Sequence, residues 1–388
     1  MPNKTVVVLG GGVGGLSVAN DLRRRLGRKD RVLVVDRTGS HVFWPSLLWL
    51  QVGLREPSTI AKALERLLKG GIEVIRGEVD SINPETKSVV VDGTAIDADY
   101  LVVSLGAQLA PEQVPGLEDA GQNLYSLEGS VAVRDFCRGL NSETEEIKIA
   151  VVVASTPFRC PAAPYEAAML LADYAKNKSQ ASRVSVSLYS PEPGPMGVAG
   201  ADVSASVKGM LAERSIGYYP LHKIQNVDPA LQTLSFENGA EEHYDFLAYV
   251  PPHIVPEVVC KAGLAEDGGW ISVDRESLET SFPGVFAIGD NTSIPLEMGL
   301  PLPKAGVFAH GQAQAVARTI SARIDGKGRE GTFEGHGACF VETGSGKAGF
   351  GSGNFYALPL PDIKFHQPSR RWHLAKVLFE RKWMKRWW

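Results

Sequence analysis

The segment that most narrows the fold is Thr5-Val6-Val7-Val8-Leu9, an unbroken apolar run that leads into Gly10-Gly11-Gly12-Val13-Gly14-Gly15. The spacing Gly10-x-Gly12-x-x-Gly15 lets a strand turn tightly, brings backbone N–H groups up to a pyrophosphate and packs the following helix closely; Gly14 belongs to the same loop. An amphipathic pattern continues through about Leu26, and a second apolar run, Val32–Val35, closes on Asp36. That acid, 21 residues after Gly15, is placed for a ribose hydroxyl. The unit reads as strand–helix–strand, the opening of a doubly wound α/β domain with a nucleotide as its expected ligand.

The same order of elements recurs without the glycines. Strand composition over Ile147–Val153 runs into Ser155-Thr156-Pro157-Phe158-Arg159-Cys160-Pro161-Ala162-Ala163-Pro164-Tyr165-Glu166, then a helical stretch, Ala167–Lys176, and a strand, Val184–Tyr189. A nucleotide site needs backbone N–H groups at a glycine turn before the helix. This turn offers instead a thiol flanked by prolines and a carboxylate, Glu166, six residues on. The second half-domain is therefore expected to serve sulfur chemistry.

Two further segments resemble parts of flavoproteins with two dinucleotide folds. Phe282-Pro283-Gly284-Val285-Phe286-Ala287-Ile288-Gly289-Asp290-Asn291 resembles their second FAD motif, whose aspartate meets the ribityl chain. Tyr100-Leu101-Val102-Val103-Ser104-Leu105-Gly106-Ala107 resembles the strand and glycine turn that link the two halves. The cofactor these imply is FAD, with Gly106, Gly289 and Asp290 joining Gly10, Gly12, Gly14, Gly15 and Asp36 around it.

With 388 residues, 44% of them hydrophobic, there is material for two cores and an appendage. The first strand begins by residue 5 with no charged-then-apolar leader, and no run has the roughly 18 apolar residues of a transmembrane helix, so a cytoplasmic start is expected. Four cysteines are too few for a stapling framework. Cys137 and Cys260 fall in helical patterns, where a cysteine is ordinarily a packed core thiol. Cys160 and Cys339 stand at special positions, the latter in Gly335-His336-Gly337-Ala338-Cys339-Phe340-Val341-Glu342-Thr343-Gly344. No histidine shows HxxxH or HExxH spacing, so no metal site is expected.

Cys160-Pro161-Ala162-Ala163-Pro164-Tyr165-Glu166, the late Cys339, Gly289-Asp290 and Pro303-Lys304-Ala305-Gly306 together resemble the sulfide:quinone oxidoreductase and flavocytochrome c sulfide dehydrogenase group of the disulfide-reductase-like flavoproteins, over about residues 4–360. The resemblance implies that Cys160 and Cys339 form a redox pair facing the flavin. It also implies that sulfide is the electron donor and a membrane quinone the acceptor. Glu166 is then the candidate for proton movement, with a helix-capping carboxylate as the alternative. Lys304 is the candidate for stabilising reduced flavin, with pairing to a surface acid as the alternative. Departures also appear. Where many quinone-reducing members carry a third cysteine upstream, this chain reads Asn123-Leu124-Tyr125-Ser126-Leu127-Glu128-Gly129. Where cytochrome-linked members attach FAD covalently it reads Ser40-His41-Val42-Phe43-Trp44-Pro45, which implies non-covalent FAD.

Ser369–Trp388 carries seven Lys/Arg, one acid (Glu380) and four tryptophans; its net charge is +6 against −10 for the rest. On a helical wheel Trp372, Phe379, Trp383 and Trp387 share a sector of about 80°, the pattern of a helix lying in an anionic membrane surface. Lys376 falls inside that sector, and Leu374, Val377 and Trp388 outside it. A helix packed on the body, or a dimer contact, is the alternative. The tail is expected to be separable from the FAD and cysteine motifs, all of which precede Phe340. Phe43–Leu50 is expected as an apolar loop near the flavin or a quinone channel, with His310 nearby. Gly344–Gly353 is a flexible glycine-rich run without the order of a P-loop.

The organisation expected is two Rossmann-like dinucleotide-fold domains with a C-terminal cap and an amphipathic tail helix: a discontinuous FAD domain at 1–108 and 276–326, a second domain at 109–275 and a cap with tail at 327–388. The expected function is sulfide oxidation through FAD to quinone by a peripheral protein on the cytoplasmic side of the membrane. A homo-oligomer is compatible with this, and nucleic acid is not expected as a partner. The alternatives are a type II NADH:quinone dehydrogenase, which would need a second glycine fingerprint near residue 155, and a non-catalytic FAD-containing docking protein.

Overall fold

A computed structural model describes residues 3–140, 146–178, 183–266 and 268–385. Its first sheet is wholly parallel, in the order Val285–Ala287, Tyr100–Val103, Thr5–Leu9, Arg31–Asp36, Glu73–Arg76. Val6, Val7, Val8 and Leu9 are all fully buried, as a parallel strand covered on both faces must be. The helices Val13–Arg25 and Gly306–Asp325 pack against each other on one face, and Val285–Ala287, far along the chain, completes the sheet begun at residue 5.

A second parallel sheet runs Gln122–Asn123, Phe246–Val250, Ile147–Val153, Val184–Tyr189, Gly217–Tyr219. The helix Ala163–Asn177 returns from Ile147–Val153 to Val184–Tyr189 and buries its first nine residues. It starts four residues earlier than its pattern suggests, because Pro164 fits the first helical turn, where its missing N–H costs nothing.

The C-terminal part is an antiparallel sheet, His336–Gly344, Lys347–Asn354 and Asp362–Ser369, followed by the helix Arg370–Trp383. The glycine-rich run is a hairpin and not a flexible linker. Gly344 pairs with Lys347, and the two turn residues Ser345 and Gly346 both have positive φ, the geometry that suits the right-handed twist of a two-residue hairpin. Asp173 fixes the turn by accepting from the Ser345 N–H and hydroxyl.

The tail helix is packed on the body. Its aromatic sector, expected to face lipid, faces inward: Trp383 is buried and packs at a tilt against Phe43 and Phe379, while Trp372 stacks on Phe350 at 4.4 Å. Arg386, Trp387 and Trp388 lie outside the described residues. The Phe43–Leu50 segment is the seat for this helix, as a 3-10 turn (Trp44–Ser46) and a short helix (Leu47–Gln51). Arg55 grips Glu380 through Nε and Nη2, Ser46 donates to the same carboxylate at 2.6 Å, and Lys62 donates to the Met384 carbonyl. The outward face carries Leu374 and Leu378 among exposed Arg371, Arg381, Lys382 and Lys385.

Candidate functional site

The glycine loop has the shape its spacing demands. A side chain at Gly15 would meet the Gly10 carbonyl oxygen at 1.8 Å, whereas one at Gly12 would meet nothing within 4 Å. The first contact closes helix on strand, and the second leaves open space where a phosphate can reach backbone N–H groups. Asp36 accepts from the Gly11 N–H at 2.8 Å and, through its other oxygen, from Thr38 and Gly39. Gly106 donates its N–H to Asn291, and Gly289 to Gln312, so the segments carrying Gly106 and Gly289-Asp290 are tied together beside the first sheet. An open cradle at Gly12, an acid at the second strand end and a partly buried Asp290 suit a dinucleotide such as FAD. Burial pushes the Asp290 carboxyl up, with Arg159 and Lys304 pulling it back.

Lys304 does not meet a surface acid. Its ammonium donates to the Asp290 and Thr292 carbonyls at 2.7 and 2.9 Å and lies 3.4 Å from the centre of the Trp270 ring. Burial lowers its pKa to about 8. Backbone joins it to the thiol turn: Cys160 donates its N–H to the Lys304 carbonyl, and Arg159 and Lys304 form a parallel bridge.

Cys160 and Cys339, 179 residues apart, come together at this bridge. The Cys339 thiol lies within hydrogen-bonding reach of the Cys160 sulfur, both are partly buried, and both are thiols here. Cys160 has φ of +55°, a strained conformation for a residue with a side chain, which points to the turn being held by its surroundings. One constraint is Tyr125, whose hydroxyl donates to the Cys160 carbonyl at 3.2 Å. The hydrogen bond with Cys160, then burial, push the Cys339 thiol well above the ordinary thiol range; Glu166 adds to this and Lys376 opposes it. Cys137 is a core thiol, pushed to about 12 by burial, and Cys260 is half-buried against the outer face of the first sheet.

Glu166 does not cap its helix. It is buried, and its Oε1 accepts from the Glu342 N–H at 2.7 Å and from Lys376 at 3.1 Å. Burial raises its pKa, and Lys376 is the largest opposing influence. Lys376 keeps its proton, because Glu166 and Glu342 outweigh its own desolvation. Lys376, Glu342 and His373 are absent from the sequence-level set of site residues. The one visible signal was Lys376 standing inside an otherwise apolar sector. His310 bonds Ser17 and contacts Trp383, so it belongs to the helix packing around the tail. Among the described residues no cluster of His, Cys, Asp and Glu could hold a metal ion.

The profile of the pyridine nucleotide-disulphide oxidoreductase family matches residues 4–313. The chain is 26% identical over 380 residues to the mitochondrial sulfide:quinone oxidoreductase of Mus musculus, covering 94% of this chain and 81% of that protein. It is 28% identical over 331 residues to the sulfide-quinone reductase of Aquifex aeolicus, covering 82% and 76%. The type II NADH:quinone oxidoreductase of Haemophilus influenzae is 25% identical over 366 residues, covering 84% and 81%. Among solved structures, the sulfide:quinone oxidoreductase from Aquifex aeolicus matches with a TM-score of 0.88 at 25% identity, over 99% of this chain and 91% of that one.

Proposed function

Because the chain belongs to the pyridine nucleotide-disulphide oxidoreductase family and is an FAD-dependent oxidoreductase, we propose that it oxidises sulfide at Cys160 and Cys339 and passes two electrons to a membrane quinone. The reading rests on one observation above the others. Two thiols distant in sequence meet beside a buried carboxylate, at a turn that lacks the glycines a second nucleotide would need.

In the oxidised enzyme Cys160 and Cys339 share a disulfide. Hydrosulfide attacks the Cys160 sulfur, the Cys160–Cys339 bond breaks, Cys160 becomes a persulfide and Cys339 leaves as a thiolate. Joining the outer sulfur of that persulfide to the Cys339 sulfur gives a three-sulfur bridge that holds the sulfane sulfur, with loss of one proton and of an electron pair to the two-electron carrier. Glu166 takes the proton. FAD, held non-covalently by Gly10, Gly12, Gly14, Gly15, Asp36, Gly106, Gly289 and Asp290, supplies the two-electron carrier between sulfur and quinone. Lys304 sets a positive charge against the Asp290 segment and favours the reduced, anionic cofactor. Quinone is a membrane solute, so the protein works as a peripheral protein at the cytoplasmic face, docked through the outward face of Arg370–Trp383.

Anaerobic titration tests this. Sulfide at micromolar level should bleach the bound flavin, and added quinone should restore its colour. NADH should do neither. Bleaching by NADH alone would replace this reading with the NADH dehydrogenase one, which similarity to the Haemophilus influenzae protein keeps in view.

A further inference from the structure

The tail helix turns one face outward and the other into the sulfur site. Lys376, 3% exposed, donates to Glu166 at 3.1 Å and stands 4.0 Å from Glu342; His373, one turn earlier, holds the Glu342 carboxylate at 3.0 Å. Glu342 follows Cys339 by three residues on one strand, and its N–H donates to Glu166. A lysine is among the last residues to be buried without a purpose, and an aliphatic side chain could fill this position under Trp49.

We propose that Lys376 is a positioning residue of the sulfur site: carried in by the tail helix, its ammonium holds Glu166 as a carboxylate, aligned on the Glu342 N–H and able to accept a proton beside Cys160 and Cys339. The inference rests on the sulfide reading for what that proton is, but not for the ionisation itself. The charged and titratable groups around Glu166 come from four places: Cys160 on the turn, Tyr125 in the segment before the helix Leu127–Gly139, Cys339 and Glu342 on the strand His336–Gly344, and His373 and Lys376 on the tail helix, with Glu166 itself on Ala163–Asn177. Of these Lys376 is the one permanent cation. Without it, burial and the neighbouring Glu342 charge both drive a proton onto Glu166. The tail is therefore part of the site and not a separable anchor.

The test uses the FAD-loaded full chain in two arms. In infrared difference spectra near neutral pH, Lys376→Met should show a buried carboxylic-acid carbonyl band that the wild type lacks, and Lys376→Met/Glu166→Gln should lose it. In stopped flow, sulfide-driven flavin reduction should be at least about tenfold slower at neutral pH in Lys376→Met, with its pH profile displaced upward by a unit or more. Lys376→Arg should restore most of both, and Glu342→Gln should displace the profile downward. A Lys376→Met protein with no carbonyl band and an unmoved profile overturns the inference. If Lys376→Met fails to fold, an upward or absent displacement in Glu342→Gln overturns it equally. A wild type that sulfide never reduces removes the sulfide reading, while the infrared arm still decides the role of Lys376.

Discussion

A cysteine can take part in sulfur exchange only where a second sulfur can reach it, and Cys160 and Cys339 meet while Cys137 is buried. Cys137 sits in an apolar core that pushes it to about 12, so Cys137→Ser should change packing and leave turnover alone. Cys160→Ser and Cys339→Ser should each keep the yellow FAD-loaded protein and lose sulfide-dependent quinone reduction by more than about a hundredfold, since serine forms neither the bridge nor a persulfide. Near-normal turnover in either variant would remove that residue from the mechanism. His41 carries a pH dependence of a different kind. Its ring accepts from Trp383 Nε1 at 2.9 Å, and its Nδ1–H donates to the Gly11 carbonyl, so the glycine loop and the tail helix share one neutral imidazole. Burial lowers its pKa to about 4 from an ordinary 6.5. The unfolded chain thus binds the proton more readily. The stability from this ring is complete above about pH 6.5 and is lost as pH falls toward 4, an amount of about 3 kcal/mol. Thermal melts should show that loss in the wild type and a smaller one in His41→Leu.

At the scale of elements, what was legible in the sequence was what is local. Strand, glycine turn and helix follow one another within a few residues, and Val184–Tyr189 can be read to its ends because its alternation of serines with apolar residues matches a strand that buries Val186, Leu188 and Tyr189 and exposes Ser185. The meeting of Cys160 with Cys339 came only from resemblance, since no spacing brings together residues so far apart. For the tail helix the structure has the alternative, a helix packed on the body with its aromatic sector inward. A hydrophobic wheel cannot tell lipid from protein as the apolar partner, and the partners that decide it, Glu166 for Lys376 and Arg55 for Glu380, lie 210 and 325 residues away. The contact of Glu166 with Lys376 is likewise invisible in the sequence. Breaking the Arg55–Glu380 pair should reveal how firmly the helix is seated. Arg55→Met leaves the nearly buried Glu380 with only Ser46 as a partner, at a cost of about 2–3 kcal/mol after allowing for the partial exposure of Arg55. Limited trypsin digestion should then cut within the Arg370–Lys385 segment many-fold faster than in the wild type. An unchanged cutting rate would mean that the aromatic contacts alone hold the helix.

At the scale of the whole molecule, charge and surface hydrophobicity point in one direction. No helix among the described residues is long and apolar enough to cross a membrane, so any attachment through the helix Arg370–Trp383 lies at the interface. With Trp372, Phe379 and Trp383 turned inward, the exposed large apolar residues in the described part of this helix are Leu374 and Leu378, 57% and 47% exposed, flanked by Arg371, Arg381, Lys382 and Lys385. Each basic residue adds about 1 kcal/mol near an anionic leaflet, and each partly exposed leucine about the same again on burial. Leu374→Ser/Leu378→Ser should therefore weaken binding to anionic vesicles roughly tenfold or more, and the remainder should fall further with salt. The double variant keeps the inner face intact, so sulfide should still bleach its flavin at the wild-type rate. Reduction of a long-chain quinone in liposomes should drop, and reduction of a short water-soluble quinone should hold. Cosedimentation that matches the wild type would place the attachment elsewhere on the surface. A joint loss of flavin reduction and vesicle binding would mean that the two faces of this helix cannot be altered independently.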